Sequence, residues 1–191
     1  MAGPGDSATV RKPRADAARN RERLLREAKA AFAERGPNAS LEAIAQAAGV
    51  GIGTLYRHFP TREALIEAVY RNEADQLFAA AERLAETEPP LEALRAAMLL
   101  FVDYMATKHG MAEALAAIPT SELYAATGER TKRIFSGLVE RAAASGAIRV
   151  DFDSLDLLRA LAGVIHQSPA DDAIPAARRM VDVLLAGVKA G

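Results

Sequence analysis

The chain has 191 residues, of which half are hydrophobic and about a quarter are charged, a balance typical of a folded globular protein rather than a disordered one. It has no cysteine and three histidines far apart in the sequence, which excludes disulfides and thiolate catalysis, so we expect neither a metal site nor a cofactor. No apolar run reaches the roughly 18 residues that a membrane span needs, and no signal peptide is apparent, so we expect a cytoplasmic protein without membrane contact.

The net charge of −1 hides an uneven distribution along the chain. Residues up to Arg62 contain eleven Lys and Arg against six Asp and Glu, whereas the remainder contains thirteen against nineteen. A basic N-terminal part followed by an acidic remainder indicates nucleic-acid binding by the first and a separate role for the second. Chance clustering of solvated charges is the alternative at this point.

The basic part begins with a predicted arm and a first helix. Residues 1–18 contain Gly, Pro and basic residues without helical periodicity, so we expect a flexible basic arm. From Arg19 onward, apolar residues recur every three or four positions, which predicts an amphipathic helix. Gly36 and Pro37 together stop this helix.

Two short helices are predicted next. Ser40 is a favourable N-cap for a second helix, which ends at Gly49. A third helix is predicted over 52–58. Pro60 closes it, because a proline disfavours helical geometry in the residue before it, here Phe59.

Beyond Thr61, which can cap the next helix, amphipathic patterns continue with almost no strand signal. Proline and glycine residues divide this part into six further predicted helices, over 63–86, 91–108, 111–118, 121–145, 153–166 and 173–189. The single β-prone stretch, 148–150, is too short to found a sheet. The sequence therefore predicts an all-α fold of about nine helices.

The second and third helices have the pattern of a helix-turn-helix. Such a motif needs a small residue in its first helix, a glycine in the turn and an apolar anchor in the recognition helix. Ala45, Gly49 and Leu55 stand at these three positions, and glycine adopts a left-handed turn without steric penalty. Ala-rich helices also show this pattern by chance, so the pattern alone leaves the motif open.

The segment from Ser40 to Leu65, which reads SLEAIAQAAGVGIGTLYRHFPTREAL, closely resembles the signature of the TetR family of bacterial regulators. The preceding helix, with Phe32 and Gly36, is also similar to that family, and the remainder is similar in helix number and length only. The resemblance implies an N-terminal three-helix DNA-binding domain, residues 19–62. It also implies a C-terminal helical domain, residues 63–191, that binds an effector and dimerises.

The resemblance also implies which residues contact double-stranded DNA. Arg57 is the best candidate for reading sequence, because a guanidinium can bond a guanine with two hydrogen bonds, worth about 1 to 3 kcal/mol of discrimination. Arg62 would pair with a phosphate, helped by the dipole of the fourth helix. The implied DNA-binding residues lie in the helix-turn-helix and just after it, and they are Ser40, Gly51, Ile52, Gly53, Thr54, Tyr56, Arg57, His58 and Arg62.

Each of these contacts has a structural alternative. Tyr56 could be a packing residue, His58 could bond a local backbone group, and Arg57 and Arg62 could be solvated surface charges. Many family members have Ser where Gly51 stands, so a hydroxyl bond to phosphate from that position is missing here. Glycine is still an acceptable N-cap.

Methionine and aromatic side chains concentrate in the middle helices, where the resemblance implies an effector pocket. The predicted pocket residues are Met98, Phe101, Val102, Met105, Tyr124, Phe135 and His166. Their composition predicts a largely hydrophobic effector, whose identity the sequence does not specify. Ordinary core packing is the alternative for each of them.

The last two predicted helices are more apolar than the outermost helices of a small monomer should be. The resemblance implies that they form a four-helix bundle across a two-fold axis. Two recognition helices would then reach successive major grooves of a palindromic operator. Completion of the monomer's own core is the alternative.

Taken with the resemblance, these patterns predict a homodimeric repressor that a small effector releases from its operator. An enzyme is disfavoured, because the sequence shows no cysteine, no clustered histidines, no phosphate loop and no paired carboxylates on one helix face. A transcriptional activator is one alternative. A helical DNA-binding protein without a small-molecule effector, or without sequence preference, is the other.

Overall fold

The computed structural model describes residues 11–169 and 171–190, with side chains from Ala15 onward. Within these ranges the chain is helical, and an isolated bridge between Ile148 and Lys189 is the extent of its β-pairing. The predicted all-α fold is confirmed. Nine α-helices form in the described residues: α1 (Arg11–Arg35), α2 (Leu41–Ala47), α3 (Ile52–His58), α4 (Arg62–Thr87), α5 (Pro90–Gly110), α6 (Ala112–Ala116), α7 (Ser121–Ala144), α8 (Asp156–Gln167) and α9 (Ala173–Val188).

Helix α1 begins at Arg11 rather than near Arg19, so the predicted flexible arm is corrected for residues 11–18. Pro13 does not interrupt it, because the backbone N–H groups of a first turn have no helical partner. Residues 15–19 are all exposed, and a helical segment without a buried face has no apolar periodicity to reveal it. The rest of the predicted arm, residues 1–10, lies outside the described residues.

The first of two compact units holds the described residues up to Val69 together with Glu113–Ile118. Helices α1, α2 and α3 surround its core, where the largest buried side chains include Phe32, Ile44 and Leu55. The sequence prediction divided the chain at residue 62 and assigned 113–118 to the C-terminal domain. Both predicted boundaries differ from those of the compact units. The reason is that an amphipathic pattern shows that a helix has a buried face but does not show which neighbouring helix covers that face.

The turns of this unit have the predicted local structure. Gly36 and Gly49 take left-handed φ angles of 62° and 67°, which stop α1 and α2 at the expected places. The Ser40 hydroxyl accepts a hydrogen bond of 3.1 Å from the backbone N–H of Ala43, and Thr61 caps α4 in the same way. These side-chain caps satisfy N–H groups that the helices themselves leave unpaired.

The second compact unit holds Tyr70–Ala112 and the described residues from Pro119 onward. Helix α5 packs against α7, α8 and α9, and its Leu94 and Met98 are fully buried. At the surface, Arg95 forms an ion pair of 2.7 Å with Asp182, which joins α5 to α9. In the described part of the chain, no helix combines the length and the apolar character needed to cross a membrane.

Candidate DNA-binding surface and effector cavity

Helix α3 is held by an apolar face and turns its other face to solvent. Leu55 is fully buried, and Phe59, which directly follows the helix, is 3% exposed. The guanidinium of Arg21 on α1 lies 5.4 Å from the centre of the Phe59 ring. On the opposite face, Tyr56 and Arg57 are exposed, so α3 has the placement that a recognition helix needs.

Two glycines, Gly51 and Gly53, leave the N-terminal end of α3 with few side chains. Neither Gly51 nor Gly53 has a positive φ, and a Cβ built on either would meet no atom within 4 Å. Backbone conformation and packing within the described chain therefore require glycine at neither position. A glycine inside a helix costs about 0.5 to 1 kcal/mol relative to alanine, so Gly53 lowers stability while leaving room for a partner's close approach.

Tyr56 and Arg57 are exposed on α3, which argues against the packing alternative for Tyr56 but not against the solvated-charge alternative for Arg57. Tyr56 is 45% exposed. Arg57 is exposed, and no hydrogen bond or ion pair of its guanidinium is recorded among the described residues, so its donors are available to a ligand. His58 and Thr54 are half-buried, and the His58 ring lies beside Phe59, 6.1 Å between centroids.

Ser40 and Arg62 have protein partners where phosphate contacts are predicted. Beyond its capping bond, the Ser40 hydroxyl lies 3.2 Å from a carboxylate oxygen of Glu42, to which it donates. Arg62 is half-buried, and its guanidinium donates to the backbone carbonyls of Pro37, at 2.9 Å, and Ala39. Arg62 is thus not a solvated charge, because it ties the start of α4 to the turn before α2. Phosphate binding by either residue stays a prediction.

The second unit contains a cavity of about 280 Å³ bounded by α4, α5, α7 and the start of α8. Three of the predicted pocket residues line it, namely Phe101, Met105 and Tyr124. The other lining residues include more polar side chains than the sequence analysis anticipated: Tyr70, Tyr104, Lys108, Thr127, Gly128, Thr131, Lys132, Leu155, Leu158, Arg159 and Ala162.

Four other predicted pocket residues lie elsewhere, which corrects their assignment to this cavity. Met98, Val102 and Phe135 are at most 1% exposed and belong to the core. The α5 residues that line the cavity are spaced as one helical stripe, and at 100° per residue Val102 falls on a neighbouring face. Met98 lies on the same stripe as Met105, but it precedes the first α5 residue that lines the cavity, Phe101. His166 is exposed, and its ring contacts that of His109, 6.0 Å between centroids.

The prediction rested on methionine and aromatic residues, so it did not include the threonine, lysine and arginine side chains of the lining. Tyr104 donates a hydrogen bond of 2.6 Å to the hydroxyl of Tyr70, and burial raises the pKa of both phenols. Burial lowers the pKa of Lys108. Its i+7 spacing from Phe101 would have placed Lys108 on the same stripe of α5, whereas no local signal links Tyr70 to this cavity.

The described residues contain no group of three or more side chains that could hold a metal ion. The two candidate sites are a basic, exposed helix face in the first unit and a partly open, mostly apolar cavity in the second. The first suits recognition of a polyanion, and the second suits a small molecule.

Comparisons with known protein families match both parts of the chain. The model of "Bacterial regulatory proteins, tetR family" matches residues 24–69. The model of "Transcriptional regulator SbtR-like, C-terminal domain" matches residues 89–190.

Solved structures show the same similarity over most of the chain. The TetR transcriptional regulator SCO0520 from Streptomyces coelicolor is 44% identical, with a TM-score of 0.80, and the match covers 88% of this chain and 98% of that one. A TetR transcription regulatory protein from Mycobacterium vanbaalenii is 32% identical, with a TM-score of 0.77 and coverage of 93% and 99%.

Two curated relatives are also similar. The HTH-type transcriptional repressor KstR2 of Mycolicibacterium smegmatis is 28% identical over 145 residues, which span 71% of each chain. The HTH-type transcriptional regulator UidR of Escherichia coli K12 is 36% identical over 86 residues, 44% of this chain and 38% of that protein.

Proposed function

Because this chain belongs to the TetR family of bacterial regulatory proteins, we propose that it is a homodimeric repressor that a small effector releases from a palindromic operator. The family consists of transcriptional regulators, and the chain is accordingly a DNA-binding regulator with a ligand-binding C-terminal domain. The observation that carries the proposal is helix α3, anchored by the buried Leu55 and presenting an unpaired, exposed Arg57.

Two features support DNA reading by this face. A guanidinium without protein partners can bond a guanine through both of its parallel N–H groups. Because Gly51 and Gly53 have no side chains and no neighbouring atoms within 4 Å of a Cβ position, the N-terminal end of α3 can approach a DNA backbone closely. Repression rather than activation is supported by the relative KstR2, which is named a transcriptional repressor and matches 71% of this chain.

The outer faces of α8 and α9 support a two-fold dimer. Ala176, Met180 and Val183 form one stripe on α9 at helical spacing, and Val183 is 62% exposed. Ala160 and Val164 form a second stripe on α8, which packs against α9. Small and apolar residues on neighbouring, partly exposed helix faces suit a four-helix bundle between two copies. Such a dimer presents two copies of α3 to a palindromic site.

The proposed switch is a shift between two forms of the dimer. An effector in the cavity favours a form that fits the operator less well, and DNA favours the other form. A coupling free energy of about 1 to 3 kcal/mol between the two ligands is enough for a useful switch.

Selection of genomic DNA fragments by the purified protein tests the proposed function. We expect enrichment of one palindromic sequence, bound by two chains per site, with an affinity that falls as salt concentration rises. The specificity ratio over unrelated DNA is the deciding quantity, expected to be about a thousandfold or more. Binding that is salt-dependent but equal on all sequences would contradict an operator-reading repressor.

A further inference from the structure

The lining of the cavity in the second unit is positively charged. Lys108, Lys132 and Arg159 line it, and its lining includes no aspartate or glutamate. Its remaining surface is mostly apolar, with Phe101 and Leu158 among the lining residues. A neutral hydrocarbon ligand would pair with none of these three cations, which differ in how the protein itself balances their charge.

Arg159 is balanced within the protein. Its guanidinium lies 2.8 Å from a carboxylate oxygen of Asp153 and 2.7 Å from one of Asp156. Two carboxylates neutralise one guanidinium, so Arg159 adds little net charge to the cavity. Lys132 is exposed, and an exposed ammonium attracts an anion weakly because water screens it.

Three hydroxyl groups of the lining already donate hydrogen bonds within the protein, those of Tyr104, Thr127 and Thr131. Tyr104 donates to Tyr70 at 2.6 Å. Thr127 and Thr131 each donate a bond of 2.8 Å to a backbone carbonyl of α7. These threonine oxygens can still accept hydrogen bonds, but an anion needs donors.

Lys108 is a charged donor of the lining, whereas the hydroxyls of Tyr70 and Tyr124 are neutral and therefore weaker donors to an anion. Its side chain is half-buried, and its Nζ lies 4.2 Å from the centre of the Tyr124 ring. Among the described residues, no carboxylate is recorded within ion-pair distance of this ammonium. The ring face attracts the cation, yet burial still disfavours the charge and lowers the Lys108 pKa. An anion in the cavity would supply the missing counterion at a half-buried position, where water screens the pair less than at an exposed one.

We propose that this cavity binds a small amphiphilic carboxylate, whose anionic group pairs with Lys108 and whose apolar body packs against Phe101, Met105 and Leu158. The volume of about 280 Å³ lies at the small end of ligand sites and indicates a molecule of metabolite size. The inference rests on the proposed function, because it names the chemical class of the effector. It also changes the sequence-based expectation of a largely hydrophobic effector to an amphiphilic one.

Calorimetric titration of the full-length protein without DNA tests the assignment. The probes are two acids, octanoate and 4-phenylbutyrate, and their neutral counterparts, octan-1-ol and 4-phenylbutan-1-ol. Each acid should bind about tenfold more tightly than its alcohol, because a charged hydrogen bond in a half-buried site exceeds a neutral one. Alcohols that bind as tightly as the acids, or two acids that do not bind at millimolar concentration, would overturn the proposal.

Matched variants locate the anion. Lys108→Met should weaken acid binding about tenfold and leave alcohol binding almost unchanged, whereas Lys132→Met, at an exposed position, should weaken acid binding about twofold or less. Equal effects of the two variants on the acids would overturn the pairing with Lys108. Thermal melts confirm folding, and Lys108→Gln replaces Lys108→Met if the latter does not fold.

The same acids added to the operator complex separate this inference from the proposed function. Acid binding with release of DNA supports both. Acid binding that depends on Lys108 but leaves the operator complex intact supports the cavity assignment and contradicts the proposed release mechanism. Release of DNA without dependence on Lys108 contradicts the cavity assignment alone.

Discussion

Arg62, at the start of α4, donates a hydrogen bond of 2.9 Å to the backbone carbonyl of Pro37, 25 residues earlier in the chain. A second bond from the same guanidinium nitrogen reaches the carbonyl of Ala39. Both carbonyls belong to the turn that precedes α2, the first helix of the helix-turn-helix. A residue predicted from sequence to bind phosphate is thus part of the framework that positions the motif.

Arg62→Ala should lower the free energy of unfolding by about 1 to 3 kcal/mol, because two carbonyls in a half-buried turn lose a charged donor. Arg62→Lys should recover part of the loss with its single ammonium. Urea denaturation measures both. Arg57→Ala is the control, expected to change stability by about 0.5 kcal/mol or less at an exposed site. Unchanged stability with weakened DNA binding would make Arg62 a phosphate contact instead.

Arg57→Ala should weaken operator binding by about 1 to 3 kcal/mol and relax the preference at one base pair in each half-site. The reason is the loss of a two-bond contact to a base edge. Fluorescence anisotropy on a set of operators, each changed at one base pair, measures this effect. Arg57→Lys is the matched variant that keeps the charge but not the two-bond geometry. An equal loss on every sequence would show that Arg57 contacts phosphate.

Gly53→Ala should stabilise the free protein by about 0.5 to 1 kcal/mol, because alanine is the better helix former and the added methyl meets no neighbour. Operator affinity should fall, since the methyl occupies space that DNA needs. Gly137→Ala on α7 is the control, because a Cβ there also meets nothing and the site is remote in sequence from α3. Gly53→Ala with normal DNA affinity would argue against close approach at this end of α3.

Val183→Arg should convert the dimer to a monomer, because the charge would be buried without a partner in the proposed interface. Sedimentation velocity at micromolar concentration measures the change, and operator binding should weaken with it. Val150→Arg is the control, since Val150 is also an exposed valine, at 41% against 62% for Val183, and lies outside α8 and α9. If both variants remain dimeric, the interface is elsewhere.

The ammonium of Lys108 should titrate below the ordinary lysine pKa of about 10.4, because burial disfavours its charge. The unfolded chain therefore binds more protons between the two pKa values, so this group makes stability rise with pH there. Tyr70 and Tyr104 face the same cavity with raised pKa values and oppose that trend. Resonances of ¹³C-methylated lysines report Lys108 separately, and octanoate should raise its pKa. A Lys108 pKa at or above those of the other lysines would contradict its burial.

Local signals in the sequence were sufficient for most helix boundaries. Gly36 and Gly49 stop their helices because left-handed backbone favours glycine, and Ser40 caps α2 because its hydroxyl reaches an unpaired N–H. The start of α1 was missed because residues 15–19 are all exposed. Such a segment shows no apolar pattern at helical spacing, although it is helical. The boundaries that were predicted correctly depend on interactions between residues a few positions apart. No such interaction was recognised at the start of α1.

By itself, the sequence determined the all-α fold, because caps, turns and apolar periodicity act within one or two helical turns. The helix-turn-helix and the DNA-facing position of Arg57 followed from the family resemblance of residues 40–65, since the local pattern alone left the motif open. Only the tertiary structure decided that Arg62 binds the turn before α2, that Glu113–Ile118 joins the first unit, and that Lys108 shares a cavity with Tyr70. These relationships join residues tens of positions apart. They depend on how whole helices pack, which the pattern within any one helix does not specify.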